Sequence, residues 1–409
     1  MIPARLGVPL LLSLTAAVAH AEDPPEDWVD PATGHRVIRL SRDAGTASPY
    51  FHQQAFSEKG DKLVVTAKGG LATIDLTTLG DKPCKVEQIV EGRARSAIVG
   101  KKSRQVYYLQ GGSVYATHLD TKATRKVADL PAGLSGASGL ALNADETLLA
   151  SSGNDPQARE LAKDNHDPRA GRERSMVLFT VNIKTGEVKR IHHSVNWLNH
   201  TQFSPTDPQR ILFCHEGTWD YVDRIWTVRA DGTDVRNVHA RTMDREIAGH
   251  EFFGHDGKWV WYDLQTPRST EFWLAGVSLE TGARIRYRLT RQEWSVHYNQ
   301  SPDGKLFAGD GGGPNSVANR TLNGPPLDKP GNGQWLYLYR PGDTVDTAKV
   351  GKEEVKVRQF AVEKLVDMSR HNYRLEPNVM FTPDNRWVVF RSNMHGAAHV
   401  YAVEVKKTK

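Results

Sequence analysis

The chain has 409 residues, 39% of them apolar and 25% charged, with a formal charge of +5 and two cysteines. A charge this small, spread without basic runs, gives no reason to expect a nucleic-acid partner and does little more than help collect an anionic ligand. Two thiols make no disulfide framework, so Cys84 and Cys214 read as core residues, with a single bridge between them open to an exported protein.

The first element is a leader. Arg5 precedes an apolar run from Leu6 to Val18, which ends in Ala19-His20-Ala21, a small-residue cleavage pattern. The run is shorter than the roughly 20 residues of a membrane span, and nothing later approaches that length, so no membrane anchor is expected. Residues 1–21 read as a signal peptide, residues 22–409 as the folded part, and the periplasm or the medium as the destination.

The folded part opens with DPATGHRVIRLS (30–41), a turn and a strand with no strands before it. A turn followed by a β-rich run then recurs in FSEKGDKLVVTA (56–67), VGKKSRQVYYLQ (99–110), LNADETLLAS (142–151), FSPTDPQRILFC (203–214), GHDGKWVWYD (254–263), SPDGKLFAGD (301–310) and FTPDNRWVVFRS (381–392). A second strand, a polar turn and a third strand usually follow, as in LFTVNIKTGEVKRI (178–191) and IWTVRADGTDVRNV (225–238). Short strands bounded by Asp, Gly and Thr turns read as antiparallel hairpins. One hairpin cannot bury its apolar face alone, whereas four-stranded blades packed around an axis can.

A length that would suggest two or three domains therefore reads as one: an all-β, seven-bladed β-propeller. Its last copy ends in HVYAVEVKKTK (399–409) without an outer strand. Pairing the N-terminal strand with the C-terminal blade closes the ring and covers an open sheet edge. Two insertions, 154–174 and the Gly-, Pro- and Asn-rich 311–334, are long enough to overhang one end of the ring or to be plain surface excursions.

Polar and aromatic residues gather beside the repeat copies, in YFHQQ (50–54), WLNH (197–200), CHEGTWDYVDR (214–224), GHEFF (249–253), VHYNQ (296–300) and HNYRLEPN (371–378). Successive blades would bring these clusters to one end of the channel. Their histidines, arginine and carboxylates suit a metal site or acid–base work on an anionic ligand. A local motif such as His-Glu-x-x-His is absent, so a metal set would be assembled from separate blades. Taken singly, each histidine also reads as a structural hydrogen-bonding group, Arg224 as an ion-pair partner of Asp220 or Asp223, and Glu376 as an acceptor of backbone N–H groups. Trp197, Trp219 and Tyr298 are candidates for stacking on a sugar; Trp226, Trp259 and Trp261 lie inside apparent strands and read as core.

The run WLNHTQFSP…ILFCHEGTWDYVDRIWTVRADGTDVRNV…GHEFF, followed by SVHYNQSPDGKLFAGDGG, resembles oligogalacturonate lyases in order and spacing. With FTPDNRWVVF the similarity extends over most of residues 195–400. The resemblance implies a lyase that splits short uronate-containing oligosaccharides by β-elimination, with His250 as the base and Arg224 as a substrate contact. It also implies a manganese site, of which His297 matches one ligand. Glu376 and Asn378 stand where two further histidines belong and Tyr373 where a glutamine belongs. Glu376 and Asn378 still offer oxygen donors that Mn²⁺, Mg²⁺ or Ca²⁺ accept, so they join His297 as the expected metal set. His200, His215, Trp219 and Tyr373 are the expected substrate contacts. Two other readings stand beside this one: a non-catalytic periplasmic propeller of the Tol-system type that binds a glycan or protein, and a metal-dependent hydrolase on the same scaffold.

Overall fold

The computed structural model describes residues 25–321, 334–350 and 353–408. The expected signal peptide and half of the second insertion, residues 322–333, lie outside the described residues. The regular structure of the described residues is nearly all strand, the helical exceptions being Ala158–Leu161 and the single turns Pro168–Ala170 and Val317–Asn319. The chain forms an all-β propeller. All seven copies of the repeated turn fall between the first and second strands of a sheet unit.

Three sheets are simple four-stranded antiparallel units in chain order, spanning Arg95–Asp129, Ser135–Ser194 and Trp197–His239. A fourth runs Lys62–Ala67, Gly70–Asp75 and Val86–Glu91, with the bridge Phe56↔Leu63 on its inner side. The fifth joins the chain ends: His35–Arg39 pairs with His399–Lys407, Val37 opposite Val403, and Trp387–Ser392 and Met380–Phe381 follow inward. The expected closure is thus present, with a further strand, Asp27–Val29, outside it.

The sixth sheet has eight strands. Four of them run antiparallel from Ile247–Phe253 to Arg284–Leu289, and four more from Tyr298–Gln300 out to Glu353–Asp367. The halves meet where Arg284–Leu289 lies parallel to Glu353–Asp367. The long hairpin Trp335–Val350/Glu353–Asp367 thereby covers the outer edge of its neighbour, which would otherwise present unpaired backbone groups.

Alternation along each strand sends successive side chains to opposite faces, and both faces are buried. Ile211 and Phe213 pack toward the preceding sheet while Leu212 packs toward the next; Val260 and Tyr262 face one way and Trp261 the other. Trp261 is core as expected, and Trp226 and Trp259 are half-buried against the same clusters. Tyr298 departs from expectation. It is fully buried and its hydroxyl accepts the Ser295 N–H at 2.8 Å, so it packs the core and cannot form a sugar floor. Cys84 and Cys214 are separate free thiols, half-buried and buried.

Candidate active site

The innermost strands carry a device that single residues do not announce. In Trp197–Phe203 the pairing register breaks between Asn199 and Gln202, and His200 sits inside the break at φ 51°. In Ile247–Phe253 the break lies between Gly249 and Phe252, with His250 at φ 48°. Asn378, just before Met380–Phe381, has φ 53°. Each is a left-handed residue that is not glycine, a conformation that stores roughly 1–3 kcal/mol of strain and collects at functional sites. Bulges of this kind re-aim a side chain out of the ladder, here bringing His200 and His250 together.

The result is a cluster of histidines. The rings of His250 and His297 are 4.6 Å apart, and His200 stacks on His250 at 6.1 Å. Tyr50 and His52 complete it: the Tyr50 hydroxyl lies 3.1 Å from His297 Nε2, and His52 is 5.7 Å from His200. Each of three histidines is fixed by a buried carboxylate. His250 Nδ1 is 2.9 Å from Asp263, His297 Nδ1 is 2.7 Å from Asp310, and His200 Nδ1 is 3.1 Å from Glu251. A carboxylate on Nδ1 sets the tautomer and leaves Nε2 as the working nitrogen.

Burial is the main force on His250, pulling its pKa well below the ordinary 6.5, and the charges of His297, Arg224, His200 and His52 add to it. His250 is therefore neutral and able to accept a proton. An anionic ligand beside it would offset those positive neighbours and raise its basicity when the ligand arrives. Burial likewise lowers His52, to about 3.

Arg224 is buried, with its side chain closed to solvent. Nη1 donates to Glu216 at 2.6 Å, the guanidinium lies 5.0 Å over Trp219, and Trp219 in turn meets the His250 ring edge at 5.0 Å. Nε and Nη2 have no partner among the described residues. Two orphaned N–H groups on a buried cation form the fork that a carboxylate fills. Of the two aspartates considered for Arg224 in sequence, neither pairs with it: Asp220 faces Arg245 and Arg268, and Asp223 faces Arg241.

The structure separates other candidates from this group. His215 lies on the opposite face of its strand from Cys214 and Glu216. It packs between sheets, stacked on Trp226 at 5.1 Å and near His192, and burial lowers its pKa to about 4. It is a structural residue, not the substrate contact expected. Tyr373 also turns away: its hydroxyl donates to the Asp310 carbonyl at 3.1 Å and its ring covers Gly313.

Of the expected metal donors, Glu376 is half-exposed with Oε2 3.9 Å from His297 Nε2, so these two can converge on one cation. Asn378 does not join them. Its Oδ1 accepts the Phe51 N–H at 3.0 Å, its Nδ2 donates to the Glu376 carbonyl, and its backbone N–H donates to Asp310. A different trio, His200, Cys214 and Glu216, brings donor atoms within 4.8 Å of one another. There the Arg224 guanidinium already balances Glu216.

Sequence reasoning missed Tyr50, Glu251, Asp263 and Asp310 as parts of the site. A signal existed for the two aspartates: each directly follows the apolar run of a second strand, in GKWVWYD and GKLFAGD, 13 residues after its histidine. The first insertion flanks the site. Asp164 accepts from the Val195 N–H at 3.1 Å, and Arg169 lies 5.3 Å over Tyr221 in the loop that carries Trp219.

Comparison with known proteins bears on this arrangement. Residues 26–408 match the family model described as oligogalacturonate lyase. An oligogalacturonide lyase of Pectobacterium atrosepticum is 26% identical over 92% of this chain and 95% of its own length. An oligogalacturonate lyase of Dickeya dadantii is 25% identical with the same coverage. Among solved structures, an oligogalacturonate lyase in complex with manganese superposes with a TM-score of 0.73 at 23% identity, covering 93% of this chain and 96% of the other. One from Vibrio parahaemolyticus gives 0.72 at 22% identity, with equal coverage. At that identity the solved structures speak to the fold.

Proposed function

The chain belongs to the oligogalacturonate lyase family, and from that we propose that it cleaves short uronate oligosaccharides by β-elimination at the histidine cluster, with His250 as the base. The observation that carries this reading is the convergence of a neutral, carboxylate-held His250, the forked Arg224 beside it, and His297 at 4.6 Å.

Elimination removes the C5 proton of a 4-linked uronate. That proton is weakly acidic because the neighbouring carboxylate already carries charge and resists more. Two N–H groups of Arg224 offer the paired hydrogen bonds that neutralise it and stabilise the developing enolate. His250 takes the proton on Nε2; Asp263, whose own pKa burial pushes well above the ordinary carboxylate range, holds Nδ1 and fixes the ring's orientation. The C5–H electrons become the C4=C5 double bond, the C4–O bond breaks, and the leaving oxygen carries off its electron pair and takes up a proton.

The metal belongs to this proposal as well. The related manganese complex supports a divalent ion, and here His297 and Glu376 are the residues that would hold it, a thinner protein donor set than the three expected. Such an ion supplies Lewis-acid polarisation of the carboxylate. Equilibrium dialysis against Mn²⁺ should show uptake that Glu376→Ala weakens; equal uptake by both proteins removes Glu376 from the site. The same proposal counts the eight-stranded sheet as two blades, seven in all. Seven apolar clusters, each shared by neighbouring sheet units, support that count.

The direct assay follows ultraviolet absorbance of the unsaturated product on di- and trigalacturonate. Growth of absorbance is expected with the parent protein, and His250→Ala should lower kcat by about two orders of magnitude or more while the melting curve holds. New reducing ends without absorbance would mark hydrolysis and overturn the elimination reading.

A further inference from the structure

The 13-residue spacing that pairs His250 with Asp263 and His297 with Asp310 also separates Asn378, the left-handed residue of the last sheet, from Arg391. In GKWVWYD, GKLFAGD and NRWVVFR the third residue opens the second strand's apolar run and the seventh closes it. Asp263, Asp310 and Arg391 hold the same place in three consecutive units, and in the last of them the charge is reversed.

The geometry around Arg391 is that of a cation awaiting an anion. Nε donates to the Glu376 carbonyl at 2.7 Å and Nη1 to the Ser48 carbonyl at 3.0 Å. These neutral acceptors fix the guanidinium between the segment that leads to Tyr50 and the segment that carries Glu376. They leave Nη2 uncommitted among the described residues. No carboxylate oxygen of the described residues forms an ion pair with Arg391, although Arg224 has Glu216 at 2.6 Å. A half-buried arginine without an ion pair keeps an attraction for an incoming anion that the nearby charges of Glu376 and Asp310 offset only in part, and low solvent content strengthens it. Tyr50, whose hydroxyl reaches His297, and Glu376, 3.9 Å from the same ring, belong to the two segments that hold Arg391 and so tie it to the His297 end of the cluster.

We propose that Arg391 is a substrate-binding residue whose guanidinium takes the carboxylate of the uronate adjoining the one that loses its proton. The assignment rests on the lyase reading above. It makes the site selective for two neighbouring acidic sugars: one carboxylate falls to Arg224 and the next to Arg391. A partner unit that is neutral, through reduction or esterification of its carboxyl group, forfeits the second contact.

Two substitutions separate charge from architecture. Arg391→Met and Arg391→Lys both lose the paired carbonyl bonds, but only the lysine keeps a cation. On trigalacturonate, Arg391→Met should raise KM about tenfold or more with kcat within about threefold, since the contact is made equally in ground and transition states. Arg391→Lys should recover a good part of that loss. In a His250→Ala background, calorimetry should show the same order of affinities for trigalacturonate and little difference between the variants for the carboxyl-reduced trimer. If Met and Lys variants bind the acidic trimer alike, or as tightly as the Arg391 parent, the assignment is overturned. If the parent never produces unsaturated sugar yet the acidic trimer still depends on the charge at 391, the lyase reading fails and the anion site stands.

Discussion

His250 and His200 owe their aim to a backbone conformation that few side chains adopt, and the strain is held by carboxylates behind them: Asp263 for one, Glu251 for the other. The residues in the cluster were legible as types near repeat copies, but not as pairs. A left-handed φ depends on which strand residues oppose one another, and register is settled by the neighbouring strand. His215 shows the opposite error. It sits next to the same loop in sequence, yet one step along a strand reverses the face, and the ring ends among Phe213, Trp226 and His192. Its pKa, lowered to about 4 by burial against 6.5 in an unfolded chain, has a consequence for stability. Because folding favours the neutral form, the contribution is complete above pH 6.5 and is lost as pH falls toward 4. His215→Phe should therefore flatten the dependence of melting temperature on pH between about 6.5 and 4. Turnover at neutral pH should change by less than about twofold; a large rise in KM would return His215 to the substrate.

At the level of elements, the repeated turn was the readable part. Each of its copies lies where expected because Asp, Asn and Gly set the tight bend and the apolar run after it has only one buried place to go. The long hairpin Trp335–Val350/Glu353–Asp367 was not readable: its outer half is polar, and its parallel partner, Arg284–Leu289, lies far away in sequence. The close fit of such strands is visible at Gly276, which lies directly opposite Trp261. A Cβ there would come within 2.5 Å of the indole. The ring is buried among Tyr287 and Phe307 and has nowhere to retreat. Gly276→Ala should cost about 1–3 kcal/mol, seen as a lower thermal midpoint, with KM on trigalacturonate unchanged. An unaltered midpoint would mean the sheets can part more easily than their packing suggests.

For the whole molecule, closure is what turns separate strands into a site. Ser48 and Tyr50 belong to the first unit and Glu376, Asn378 and Arg391 to the last, and they meet only because His35–Arg39 is laid against His399–Lys407. That seam buries Val37, Ile38 and Leu40 between Val403, Val400 and Ala402. The complementary chain ends were visible in sequence; the meeting of Ser48 with Arg391 and of Phe51 with Asn378 across the seam was not, because it joins residues brought together by ring geometry alone. A chain begun at residue 42 would lose the seam strand, expose the edge of His399–Lys407 and open two apolar clusters to water. Its expected behaviour is association at micromolar concentration and a broadened, lower unfolding transition, with trigalacturonate turnover falling together with the native fraction. Supplying residues 25–41 as a separate peptide should restore part of that turnover by strand addition. A truncated chain that stays monomeric and fully active would mean that the first and last units hold together without the N-terminal strand, and the site would then owe its assembly to the side-chain contacts across the seam.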